Sequence, residues 1–138
     1  MMIDTLYNNL IFQAAPEEFQ ISVFSDPPET TDEISKRFGE VMASYGMSGL
    51  DSDYWIYVHH LFIAPFYTGG YAVSMMNVLE IWNTSLKSEQ SAINQYMSLT
   101  RSSRDYSYRD FMYTNSLNDP FDESFIMDMA GKLEDYFD

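Results

Sequence analysis

The sequence contains no cysteine, which excludes a disulfide framework, a thiol nucleophile and a thiolate metal site. It is poor in basic residues: seven lysines and arginines stand against 21 acidic residues, for a formal net charge of -14. A balance of that sign repels phosphate backbones, so nucleic-acid binding would need a local basic stripe. None is present, because Arg101 and Arg104 are followed at once by Asp105. No apolar run approaches the roughly 18 to 20 residues that span a bilayer, and the N-terminus lacks the basic and apolar regions of a secretory signal. These absences lead us to expect a soluble, cytoplasmic chain that binds neither nucleic acid nor membrane. No Ser-His-Asp or phosphate-cradling signature occurs. Glu17, Glu18, Asp51 and Asp53 lack the spacing of a calcium or zinc loop and read as hydrated surface.

What the chain has in quantity is large side chains. Hydrophobic residues make up 46% and aromatics 17%, with ten methionines, ten phenylalanines and eleven tyrosines, which is too rich for a disordered segment. The length of 138 residues suits one domain, 1–138, able to bury roughly two-thirds of its unfolded surface. The methionines and aromatics could fill an irregular core or form a face that another segment covers.

The apolar pattern is helical. Ile3, Leu6, Tyr7, Leu10 and Ile11 open an amphipathic helix that Pro16 should kink or restart, and the alternating Phe19, Ile21, Val23 could pass for a strand. Thr30 and Glu33 form a capping-box pattern ahead of a helix carrying Ile34, Phe38, Val41, Met42 and Tyr45. Trp55 to His59 begin a third helix, and Tyr71 to Trp82 are apolar nearly all round, as a buried central post would be. Ser88 and Ser107 are N-cap candidates, and Asp119 before Pro120 marks the start of a last helix. The expectation is an all-α fold: one domain of about six helices around one long buried helix.

The organising stretch is His59–Ser74, HHLFIAPFYTGGYAVS, which holds both histidines, a proline and two adjacent glycines. Pro65, Gly69 and Gly70 predict a bend. On pattern alone such a stretch is more often a buried helix junction than a site. The order of residues, however, resembles the C-terminal signature of the oligoendopeptidase F group of thimet-type zinc metallopeptidases: Trp55, His60, Pro65-Phe66-Tyr67 and Tyr71. Gln13–Gln20 is similar to a family helix segment, with Glu18 and Phe19 matching it and Pro16 and Gln20 departing from it, and the resemblance implies a helix over Glu17–Phe24. Tyr96–Pro120 resembles the family's later helices, with Ser102-Ser103 where the family has Gly-Gly.

The resemblance implies a zinc-dependent peptide hydrolase in which Tyr71 and His60 contact the oxyanion or transition state. It implies substrate positioning by Tyr67, Gly69 and Gly70, where the glycines could also form a moving flap. Close relatives often carry a tyrosine at the position of Gly69 and an aromatic hydroxyl at that of Phe62. The HExxH helix that supplies two zinc ligands and the general base is absent. His59 and His60 are adjacent and point to different sides of a helix, so they cannot replace it. The chain is therefore expected to hold no metal, the zinc belonging to the complete enzyme, and to be inactive alone. Its expected partners are an oligopeptide substrate or the missing catalytic portion, and an exposed apolar face would also permit homo-oligomers. The alternatives are a non-catalytic helical module that binds peptides or a protein, and a helical scaffold without ligand.

Overall fold

The structure, a computed structural model, describes residues 2–102 and 106–138. Ser103 of the Ser102-Ser103 pair, with Arg104 and Asp105 beside it, lies outside the described residues. Among the described residues the protein is helical and no strand occurs. The chain divides into two compact units, residues 1–75 and 76–138. No helix among the described residues is long and apolar enough to cross a membrane.

The first unit opens with α1 (Met2–Leu6), a π-helical turn (Tyr7–Ile11) and α2 (Phe12–Ser25). Pro16 lies inside α2 and does not end it, so the expected restart is replaced by a continuous helix. The departure from regular α geometry sits upstream, where the Phe12 amide donates to the Tyr7 carbonyl in the wider π pattern. Thr30 caps α3 (Thr31–Ser44), its hydroxyl accepting from the Glu33 amide at 3.3 Å. The Glu33 carboxylate reaches back to the Glu29 amide at 2.8 Å, one residue before the cap itself. At the other end, Gly46 at φ 81 allows a Schellman turn: Met47 donates to Met42 and Gly46 to Ala43, and both methionines are buried. Ala15, Phe19, Phe38, Met42, Met47 and Leu61 form the core, with the Phe19 and Phe38 rings edge-on at 5.1 Å.

The third helix expected from Trp55 is instead a 3-10 turn (Tyr54–Tyr57) followed by the single turn of α4 (His60–Ile63). Val58, at φ -83 and ψ 81, breaks the helical run between them. β-branched and aromatic residues hold helices weakly, and tertiary contacts decide here.

The long helix α5 (Thr68–Lys87) begins in the first unit and continues in the second. The apolar pattern predicts burial on all sides, but what is buried is one stripe: Thr68, Ala72, Met75, Met76, Leu79 and Glu80. Tyr71, Val78 and Leu86 are exposed. In the second unit follow α6 (Glu89–Ser102), α7 (Tyr108–Thr114) and α8 (Glu123–Phe137). Ser88 and Ser107 serve as the expected caps. Asp122, not Asp119, caps α8: its carboxylate accepts from the Ser124 hydroxyl at 2.6 Å and the Ser124 amide at 2.8 Å, and these bonds, the hydroxyl's first, hold its carboxyl below the usual range. Asp119 instead accepts from the Phe121 amide, closing a turn around buried Pro120. Asn115 ties α6 to α7, its carboxamide oxygen accepting from Ser98 and Ser102.

Candidate functional site

Four residues of the first unit meet in one run of rings. The His60 imidazole stacks on Tyr67, centroids 5.3 Å apart and planes 7° from parallel. Tyr67 meets Tyr71 edge-on, also at 5.3 Å, and the Tyr71 hydroxyl donates to the Tyr67 hydroxyl at 3.4 Å. His59 leans on His60 at 4.2 Å, so the two rings lie together and not on different sides of a helix as expected, because α4 begins only at His60. Helical spacing explains the tyrosine pair, since residues four apart on the line through the start of α5 face the same way. The imidazole arrives from α4 because the chain reverses between Ala64 and Tyr67.

Both phenols are exposed, Tyr71 by 42% and Tyr67 by 51%, whereas His60 is half-buried. Phe66, Tyr67, Gly70, Tyr71 and Ser74 line an open groove of about 410 Å³. A methyl group at Gly70 would meet nothing within 4 Å, so the glycine leaves the groove floor clear. The hydrogen bond to Tyr67, then the charge that Tyr67 can carry, raise the Tyr71 phenol above its ordinary value. Like any phenol Tyr71 keeps its proton at neutral pH, and by turning its hydroxyl away from Tyr67 it can donate that proton to a carbonyl oxygen in the groove.

The bend does not fall at the glycines. Gly69 and Gly70 lie in the first turn of α5, and the reversal is made at Phe66, whose φ of 63 is uncommon outside glycine. Gly69 gives its amide to the Glu17 carboxylate at 2.9 Å, and the Thr68 hydroxyl donates to the same oxygen at 3.1 Å. A Cβ at position 69 would lie 2.7 Å from the Glu17 Cδ, so only glycine admits this approach. Glu17, read from sequence as hydrated surface, is a carboxylate placed at a helix N-terminus, where backbone amides favour negative charge.

Gln20 was equally hidden. Only 3% exposed, it donates from Nε2 to the Leu61 carbonyl at 3.1 Å and accepts the Phe66 amide on Oε1 at 2.9 Å. Phe24 then packs its ring on Phe66 at 5.2 Å. The signal in the sequence was the spacing of 17, 20 and 24, which puts all three on one face of α2 beside buried Phe19. Glu18 points elsewhere and accepts from the Tyr45 hydroxyl at 2.7 Å.

Among the described residues no three histidine or acidic side chains are grouped to hold a metal ion, so the residues present do not fit a zinc site.

No family model and no curated protein matches the sequence. Among solved structures, the crystal structure of a protein described as an oligoendopeptidase F is similar to this chain with a TM-score of 0.81 at 22% identity. The likeness covers 96% of this chain but 25% of that one, so the chain spans about a quarter of the solved protein's length. Over nearly its whole length, then, this chain has the fold of a helical part of an oligoendopeptidase F structure.

Proposed function

We propose that the chain is the C-terminal, substrate-facing part of a zinc oligoendopeptidase, supplying hydrogen-bond donors to a peptide whose scissile bond is attacked at a metal held by another segment. The observation that carries this reading is the exposed ring ladder, in which two phenols and an imidazole line up beside an apolar groove. Such a groove with few polar groups suits an extended oligopeptide, whose carbonyl oxygens need donors and whose side chains need apolar walls. Tyr71, once its hydroxyl turns from Tyr67 to the substrate, is the donor to the oxygen on which charge develops. His60 donates to the peptide backbone, and Tyr67 holds both in register. The fold likeness supports the reading.

The test is a quenched-fluorescence oligopeptide assay of the chain alone and mixed with the HExxH-bearing portion of an oligoendopeptidase F. Cleavage should appear only in the mixture and should vanish on chelation. Activity of the isolated chain that survives chelator treatment would refute the proposal. Saturable peptide binding with no cleavage in any mixture would favour the second reading, a non-catalytic peptide-binding module, for which the open groove is the supporting observation.

A further inference from the structure

We infer that Gln20 is the positioning residue of the ring ladder, setting the stack of His60 on Tyr67 by clamping the two ends of the bend between α4 and α5. The bend has few other anchors. Phe62, Ile63, Pro65, Phe66 and Tyr67 are exposed, and burial returns only at Leu61 before it and Thr68 after it. Within the bend the backbone closes on itself through the Tyr67 amide to Ala64 at 3.2 Å and the Ala64 amide to His60 at 3.1 Å. The Tyr67 bond closes a turn with Pro65 and Phe66 at its centre, and Phe66, at φ 63, is the strained position of that turn, whose own amide the turn leaves for a partner outside it.

The Gln20 carboxamide is that partner, and it binds with both of its ends. Its NH2 group faces a carbonyl and its oxygen faces an amide, so flipping the group would set donor against donor and acceptor against acceptor. One side chain thereby fixes Leu61, next to His60, and Phe66, next to Tyr67. A change in the distance between those two anchors moves the imidazole against the phenol ring. Glu17, one turn earlier on α2, holds Thr68 and Gly69 and so fixes the axis from which Tyr71 projects. The face of α2 acts as a template for the ladder without touching the groove.

The value of the ladder for peptides rests on the proposed function, but its geometry is measurable without any peptide. The experiment compares wild type, Gln20→Leu, Gln20→Glu and Tyr67→Leu by NMR of the His60 ring protons. Ring current from the stacked phenol shifts those protons, and Tyr67→Leu defines their position with no stack. Gln20→Leu should move the resonance at least halfway to that position while the Phe19 and Phe38 ring signals and the far-UV dichroism stay as in wild type. Gln20→Glu, which keeps the acceptor for Phe66 and loses the donor for Leu61, should fall between. A folded Gln20→Leu protein with an unmoved His60 resonance would overturn the inference, leaving Gln20 a merely structural residue.

If Gln20→Leu fails to fold, hydrogen exchange in the wild type decides. The Phe66 amide, outside any helix, should exchange at least tenfold more slowly than an unstructured amide, and exchange at the unstructured rate would overturn the clamp. A stack that responds to Gln20 in a protein that binds no peptide would refute the peptide site alone.

Discussion

The Glu17 carboxylate fills the space that a side chain at Gly69 would occupy, 2.9 Å from the Gly69 amide it accepts. Cap and glycine are therefore one device, and their substitutions should not add. Glu17→Ala removes the cap from α5 and should cost about 0.5–2 kcal/mol. Gly69→Ala gains up to ~1 kcal/mol of intrinsic helix propensity, yet in the wild type it must evict the carboxylate. We expect Gly69→Ala to destabilise the wild type and to stabilise the Glu17→Ala background, a change of sign that a double-mutant cycle in urea would detect. Equal effects in the two backgrounds would show that Glu17 yields freely.

Tyr45 gives the protein a dependence on high pH. Burial first, and the hydrogen bond to Glu18 second, push its phenol up from 10.0 to about 12. Because the folded value lies above the unfolded one, stability is fully present below pH 10 and is lost as pH rises toward about 12. Urea midpoints measured from pH 8 upward should be level to about pH 10 and then fall. Tyr45→Phe should lessen this decline, and Glu18→Gln should lessen it by a smaller amount, since burial remains.

Within the ladder, Tyr67→Phe keeps the ring that stacks on His60 and deletes the hydroxyl that accepts from Tyr71. The main cause of the raised Tyr71 phenol disappears with it. Tyrosinate titration by ultraviolet absorbance should show Tyr71 ionising at lower pH in Tyr67→Phe than in the wild type. An unchanged titration would mean that the two hydroxyls do not interact in solution.

The second unit offers a test of backbone strain. Ser116, at φ 55, follows α7 in a Schellman turn in which Leu117 donates to Met112 and Ser116 to Tyr113. Left-handed backbone costs an ordinary residue roughly 1–2 kcal/mol, a cost that glycine largely escapes. Ser116→Gly should raise stability by about 0.5–1 kcal/mol after the added entropy of the unfolded chain is counted. Thermal unfolding of this variant beside Ser116→Ala, which keeps the strain, separates the backbone effect from the loss of a hydroxyl.

The helical fold was legible because its signals are local. Thr30, Ser88 and Ser107 mark their helices by side-chain chemistry that acts within three residues, and the structure uses all three. The helices after Trp55 and Asp119 were misplaced for a different reason. Val58 breaks a run that the apolar pattern would continue, and Asp122 competes with Asp119 for the cap of α8. The resemblance singled out His60, Tyr67 and Tyr71, but did not imply that their rings would stack. The supports of the ladder could not be anticipated, since Gln20 acts on residues 41 and 46 positions away and looks, in sequence, like any polar residue on a helix. The positive φ of Phe66 was hidden behind Gly69 and Gly70, which have the composition of a bend and stand in a helix.

The most direct measurement is the kcat/KM of the chain reconstituted with an HExxH-bearing segment, comparing wild type with Tyr71→Phe. Tyr71 is exposed, so its loss should change stability by less than about 0.5 kcal/mol and the fold should be unaffected. Removal of a donor to the developing oxyanion should lower kcat/KM by about 10²–10³, with peptide affinity little changed. Reconstituted cleavage at the wild-type rate in Tyr71→Phe would contradict a role for this phenol in the reaction.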